Sequence, residues 1–213
     1  MSIHLFKHNQ QAYRAVTAML EKEKMAAVIH PTGTGKSLIA FKLAEENPSK
    51  HFLWLSPSEY IYQTQLEKLN MKFPNIQFMS YSRLMKNEDS IETLHLDYII
   101  LDEFHRCGAQ EWGRSVRKLL DTYPNAKRLG LSATNIRYLD NQRNMAEEIF
   151  DGKIASEMTL GEAIVREILP EPKYVIAMYS YQKELEQLKK RIRTLSNQGL
   201  ITENQKLLEQ LRR

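Results

Sequence analysis

Three short stretches of the chain carry side chains suited to handling a phosphorylated ligand. The first, His30-Pro31-Thr32-Gly33-Thr34-Gly35-Lys36-Ser37, follows an apolar run from Met25 to Ile29 and leads into a helix-like segment, Leu38 to Glu46. Strand, glycine loop and helix in that order make an anion cradle. Successive backbone N–H groups point inward, the helix adds its positive N-terminal end, and glycine permits approaches that a Cβ blocks. Gly33, Thr34 and Gly35 would wrap the phosphates, Lys36 would reach the β and γ positions, and the Ser37 hydroxyl would ligate Mg²⁺. The fit to G-x-x-x-x-G-K-[ST] is incomplete, because His30 stands at the first glycine position.

The second stretch is Asp102-Glu103-Phe104-His105 and the third is Ser132-Ala133-Thr134. Beside a phosphate loop, Asp102 would hold the Mg²⁺ shell, while Glu103 would orient and deprotonate the water that attacks the terminal phosphate. Lys36 and Asp102 lie 66 residues apart. That leaves room for two intervening strands and helices, so both strand ends can face one nucleotide. Read in isolation, the loop could be only a turn and the acid pair only a solvated turn; their joint occurrence favours the phosphate site.

These residues need a scaffold, and the apolar pattern supplies one. Residues 5–20 read as an opening segment and an amphipathic helix, with Ala12, Val16, Met19 and Leu20 at helical spacing. His51 to Leu55 reads as a buried strand closed by Ser56-Pro57-Ser58, and a helix is expected from Glu59 to Asn70. A strand at Ile76 to Met79 follows. Asp97 to Leu101 is the clearest buried strand, with a helix at Gln110 to Thr122 and a strand at Arg128 to Leu131 after it. Helices at Gln142 to Phe150 and Leu160 to Leu169, and a last strand at Lys173 to Met178, complete the body. Strands alternating with helices predict a parallel α/β sheet covered on both faces, with function at the carboxyl ends of its strands. From Tyr181 onward the apolar residues recur at steps of three and four, break at Ser196 to Gly199 and resume behind a capping-box spacing at Thr202 to Gln205. That is a helical hairpin.

Composition is that of a globular protein, 42% hydrophobic and 26% charged over 213 residues. No run approaches the roughly 18 apolar residues of a membrane helix, and the N-terminus lacks a signal-peptide layout, so no membrane partner and a cytoplasmic location are expected. The single cysteine, Cys107, excludes an internal disulfide and has no ligand pattern around it. Net charge is +4, all of it in residues 174–213, where eight basic side chains face four acidic ones. A neutral body gives no electrostatic argument for nucleic-acid binding.

The combination HPTGTGKS, DEFH and SAT, in that order, resembles the first RecA-like domain of superfamily-two helicases, the DEAD/DEAH-box-like group that includes the helicase subunits of type III restriction enzymes. The resemblance covers about residues 5–173. It implies an ATP- and Mg²⁺-dependent motor acting on nucleic acid, DNA ahead of RNA, on a parallel RecA-like sheet with the SAT strand between the loop strand and the DEFH strand. It further implies that His105, Ser132 and Thr134 relay the phosphate state to the nucleic-acid groove. Pro57 and Ser58 with Gln65, and Tyr81 with Arg83, resemble two nucleic-acid-contacting motifs. Leu5 to Ala12 resembles the adenine-reading segment, with Asn9 where glutamine is usual and Gln10 beside it.

Motors of this group close two RecA-like domains on ATP, and residues 174–213 are too few for the second. The expected organisation is an ATP-binding domain over residues 1–173 and a hairpin or linker over 174–213 leading toward a second domain in a longer chain. Two other function classes stay open: a small-molecule phosphoryl transferase, which gives Glu103 and the SAT segment no role, and a nucleotide-switched binding module.

Overall fold

The computed structural model describes residues 2–137, 142–173, 182–194 and 205. The chain divides into two compact units, residues 1–170 and 171–213.

The first unit is built on a six-stranded sheet of β1 (Met25–Ile29), β2 (Phe52–Ser56), β3 (Ile76–Ser80), β4 (Tyr98–Asp102), β5 (Lys127–Ser132) and β8 (Ile154–Glu157), in the order β3-β2-β4-β5-β1-β8. Every pairing is parallel. The expected place of the SAT strand is borne out: β5 lies between β1 and β4. A separate small antiparallel pair joins β6 (Ile136–Arg137) with β7 (Arg143–Asn144).

Two cores, one on each face, explain why the central strands read as unbroken apolar runs. Alternate residues go to opposite faces. Ala26, Val28, Phe52, Trp54, Tyr98, Ile100, Leu129 and Leu131 pack with α1 (Lys7–Glu23) and α2 (Lys36–Glu46). Ala27, Ile29, Leu53, Leu55, Ile99 and Leu101 pack on the other side with α4 (Tyr81–Lys86), α5 (Gln110–Thr122) and α6 (Met145–Phe150). The same alternation aims the site. Asp102 shares the parity of Tyr98 and Ile100 and so faces the α2 side.

Gly130 shares the parity of the opposite face, where a Cβ would lie 2.4 Å from the Phe150 ring and 2.9 Å from Phe104. Only a hydrogen fits there. Ser132, two residues on, therefore points toward the 3₁₀ turn Phe104–Gly108.

Several expected elements shift. The stretch Gln142 to Phe150 is not one helix: Arg143 and Asn144 form β7, and α6 starts at Met145, capped by the Asn144 side chain, which accepts from the N–H groups of Ala146 and Glu147. Helix α7 (Leu160–Val165) ends short of the expected Leu169. A strand at Ile154–Glu157, not expected from the sequence, pairs with β1; the expected last strand at Lys173 to Met178 lies, apart from Lys173, outside the described residues. Ile-Ala-Ser-Glu is an edge strand whose residues are half-buried or exposed, so it carries no apolar run to betray it. Of the expected hairpin, α8 (Gln182–Thr194) is described, and its second helix lies, apart from residue 205, outside the described residues. No helix among the described residues is long and apolar enough to cross a membrane.

Candidate functional site

The loop after β1 is held in shape by its own chain. Gly33 and Gly35 adopt φ of +92° and +80°, a left-handed conformation that side chains with a Cβ rarely take. The Thr34 hydroxyl donates to the Pro31 carbonyl at 2.8 Å and closes the turn. Helix α1 fixes the loop from outside. Its inward stripe is Asn9, Ala12, Val16 and Leu20, all buried. Spacing along that stripe is why Asn9, and not Gln10, turns toward the loop. The Asn9 amide donates to the carbonyls of Thr34 at 2.8 Å and Gly35 at 3.2 Å, and a Cβ on Gly35 would come within 2.9 Å of it. Its Oδ1 is buried without a hydrogen-bond partner. Gln10, by contrast, is exposed and donates to the Leu5 carbonyl at 2.9 Å.

Lys36 opens α2 and is almost fully buried, its Nζ donating to the carbonyls of His30 at 2.8 Å and Pro31 at 3.2 Å. Burial lowers its pKa, against the pull of the Glu103 and Asp102 carboxylates. Asp102 ends β4. Burial, reinforced by the neighbouring Glu103 charge, pushes its carboxyl up to about 6, with Lys36 opposing. On Glu103, burial also works upward, but the His105 hydrogen bond and the Lys36 charge outweigh it and hold the carboxyl below its ordinary range. Two adjacent carboxyls pushed in opposite directions suit two different tasks. A buried acid whose charge is only partly offset fits a divalent cation, and the glycine cradle fits an anion.

Glu103 sits at φ 54°, ψ 48°, unusual for a residue with a side chain. That twist starts the 3₁₀ turn carrying His105. The Ser132 hydroxyl donates to the Thr134 carbonyl at 2.7 Å, so its own proton is committed. The Nδ1 of His105, 2.8 Å from the Ser132 oxygen and 3.3 Å from the Glu103 carboxylate, must then carry a proton and donate to both. The Thr134 hydroxyl accepts from the Ile136 N–H at 3.1 Å. Glu103, His105, Ser132 and Thr134 thus form one connected chain running from β4 to β6.

A cavity of about 480 Å³ joins the two halves, lined by Gly33, Gly35, Lys36 and Ser37 together with Asp102 and Glu103. Its far wall is α3 (Glu59–Leu69), which contributes Ile61, Gln65, Lys68 and Leu69. Gln65 therefore stands beside the phosphate loop, its Oε1 buried and without a hydrogen-bond partner. Lys68 was not anticipated, although its spacing of three from Gln65 puts both on one helical face.

Pro57 and Ser58 are half-buried between β2 and α3. Arg83 is exposed, 3.6 Å from Glu59. Tyr81 requires a correction. It is wholly buried, stacked on Trp112 with ring centroids 5.5 Å apart, and its hydroxyl donates to the Asp102 carbonyl at 2.9 Å. It has no surface for nucleic acid; it braces the end of β4. The unexpected His30 is buried too. Its Nε2 lies 2.8 Å from the Ser156 hydroxyl, and burial lowers its pKa to about 4, so it ties the loop to β8 as a neutral ring.

Comparison with known proteins places this geometry. Among solved structures, the chain is similar to the ATP-dependent type ISP restriction-modification enzyme LlaBIII bound to DNA (TM-score 0.59, 19% identity, covering 81% of this chain and 16% of that one). It is also similar to the Hef helicase domain of Pyrococcus furiosus (TM-score 0.56, 16% identity, 89% and 48%). A third likeness is to a nuclease-deletion mutant of the type ISP enzyme LlaGI in complex with a DNA substrate mimic (TM-score 0.57, 18% identity, 78% and 18%). At these identities the likeness shows the RecA-like fold, and the chain spans less than half the length of each. No curated protein sequence matches it. The family model "Type III restriction enzyme, res subunit" matches residues 2–75 and 67–137, more than half of the chain. The chain belongs to that family, and its sheet has the RecA-like fold.

Proposed function

We propose that this chain is the ATP-binding domain of a helicase or translocase that binds ATP with Mg²⁺, couples its hydrolysis to nucleic-acid binding, and acts with a second RecA-like domain. The observation that carries the reading is the single cavity walled by Lys36 and Ser37 on one side and by Asp102 and Glu103 on the other. The divalent ion, when bound, neutralises phosphate charge and polarises the transferring group. The chain's own residues do the rest. Backbone N–H groups of Gly33 to Lys36 and the Lys36 ammonium bind the phosphates, Ser37 and Asp102 hold the ion, and the depressed Glu103 carboxylate orients a water and takes its proton. The chain from Glu103 through His105 and Ser132 to Thr134 reports the occupancy of the site to the surface beyond β5. Asn9 serves the nucleotide through the loop, its amide holding the Thr34 and Gly35 carbonyls and so the shape of the cradle. Pro57, Ser58 and Arg83 face the nucleic acid; DNA is favoured over RNA because LlaBIII and LlaGI were solved on DNA or a DNA mimic.

The test is nucleotide binding by a fluorescent ATP analogue. Lys36→Ala abolishes binding at micromolar nucleotide, while Glu103→Gln binds as the unaltered chain does and loses hydrolysis by about 10²–10⁴-fold. Equal binding by Lys36→Ala and the unaltered chain would sink the assignment.

A further inference from the structure

At the opposite end of the sheet from the nucleotide cavity, the chain brings His51 together with a histidine and an aspartate, His95 and Asp97, that lie more than forty residues further on. His51 immediately precedes β2, and Asp97 immediately precedes β4, with His95 two residues before it. One ligand atom from each of the three lies within 4.8 Å of the others. Five residues of strand, roughly 17 Å at about 3.3 Å each, separate this point from Asp102.

We propose that His51, His95 and Asp97 form a zinc-class transition-metal site that staples the entry ends of the two adjacent strands β2 and β4. Two imidazoles and one carboxylate are the donor set of open zinc centres, with the fourth position left to water or an outside ligand. A hard, heavily hydrated ion such as Mg²⁺ is poorly served by imidazole.

Preorganisation supports the assignment. The His51 carbonyl accepts from the N–H groups of both Asp97 and Tyr98, at 2.9 and 3.1 Å, which locks the two strand entries together. The His51 N–H in turn donates to the Asp97 Oδ2 at 2.9 Å and aims that carboxylate. The same Oδ2 stands 3.6 Å from the His51 Nδ1, close to the ligand-to-ligand edge of about 3.3 Å in a tetrahedral zinc site with bonds near 2.0–2.1 Å. The His95 ring meets that of His51 edge-on, with centroids 5.4 Å apart. Its loop is pinned one residue earlier, where the Tyr123 hydroxyl donates to the Leu94 carbonyl. Both histidines are exposed and open to an incoming ion.

One charge competes. The Lys50 ammonium sits 3.0 Å from the other Asp97 oxygen, Oδ1, and half of its side chain is in solvent. A bound dication would drive that ammonium into water, so Lys50 weakens the site rather than completing it. This gives the proposal a signature that no incidental surface site shares.

The experiment is calorimetric titration of Zn²⁺ into the full chain, with Mg²⁺ in excess to occupy the Asp102 region, alongside melting curves with and without EDTA. One Zn²⁺ per chain is expected, with a higher melting midpoint that EDTA reverses. His95→Ala weakens Zn²⁺ by more than about tenfold. Lys50→Gln tightens it. All of these side chains are exposed or half-buried, so the variants fold, and nucleotide binding serves as the control. No micromolar Zn²⁺ binding by the unaltered chain, an unchanged affinity in His95→Ala, or a weaker affinity in Lys50→Gln would each overturn the proposal.

Discussion

Asp102 shows what the site costs the fold. Its carboxyl titrates at about 6 in the folded chain against an ordinary 3.8, because burial and the adjacent Glu103 both disfavour its charge. Between those two pH values the folded chain holds a proton that the unfolded chain has released. Stability therefore falls as pH rises through that window, and the deficit is complete above about pH 6. Its size is on the order of 3 kcal/mol before discounting for local relaxation and water. Asp102→Asn is accordingly expected to raise the melting midpoint at pH 8, at about 2–4 °C for each kcal/mol recovered, and to give no gain near pH 4. The same variant loses Mg²⁺-dependent nucleotide binding, a trade of stability against function. Melting curves at the two pH values check the first claim and analogue binding checks the second. A variant that melts lower at pH 8 would show that the carboxylate is compensated in the folded state.

At the scale of elements, the decisive device is the brace under β4. Tyr81 opens α4, lies on Trp112 and bonds to the Asp102 carbonyl, so one hydroxyl links a helix start to the end of the strand that bears both acids. Tyr81→Phe keeps the ring and removes that bond, and is expected to lower stability by about 1 kcal/mol while leaving DNA affinity unchanged. Arg83→Ala, two residues on and exposed, should do the reverse. Paired denaturation and DNA-binding measurements separate them. The hydroxyl's role was beyond the sequence, because a tyrosine at a helix start reads the same whether it faces solvent or core; the β4 pattern itself, with its unbroken apolar run, was plain. For the central strands, legibility followed burial. Strands β1, β2, β4 and β5, buried on both faces, and helices α1, α2, α3 and α5 stood out, as did the three polar clusters at the strand ends. Strand β8 did not, since an edge strand of Ile, Ala, Ser and Glu has neither an apolar run nor clean alternation. The Asn144 cap of α6 is readable in principle, yet residues 142–150 read as one helix because β7 is only two residues long. The group of His51, His95 and Asp97 has no signature in sequence, for His51 reaches the other two only through the β2–β4 pairing.

For the whole molecule, the open question is what one RecA-like sheet does alone. The residues assigned to bind phosphate, hold the ion and activate water are all in residues 33–103, and the described part of the first unit supplies one cation, Lys36, in the phosphate loop itself and one more, Lys68, on the far wall. Neither ammonium offers the planar fork of donors that a guanidinium presents to a transferring phosphoryl group. In comparable nucleotide hydrolases an arginine brought to that group contributes a factor of about 10³–10⁵ in turnover. The chain spans 16%, 48% and 18% of the three structures it resembles, which extend well beyond the part it matches. The chain by itself is therefore expected to bind ATP with Mg²⁺ and to turn it over slowly, with little response to added duplex DNA. Single-turnover hydrolysis with excess chain over radiolabelled ATP measures this directly. Joining a second RecA-like domain with its arginines should raise the rate toward that factor and make it respond to DNA, whereas Lys68→Ala should reduce nucleotide affinity without touching that acceleration. Brisk hydrolysis by the chain alone would mean that the charge on the transferring group is already met within this unit, with Lys68 as the first side chain to replace.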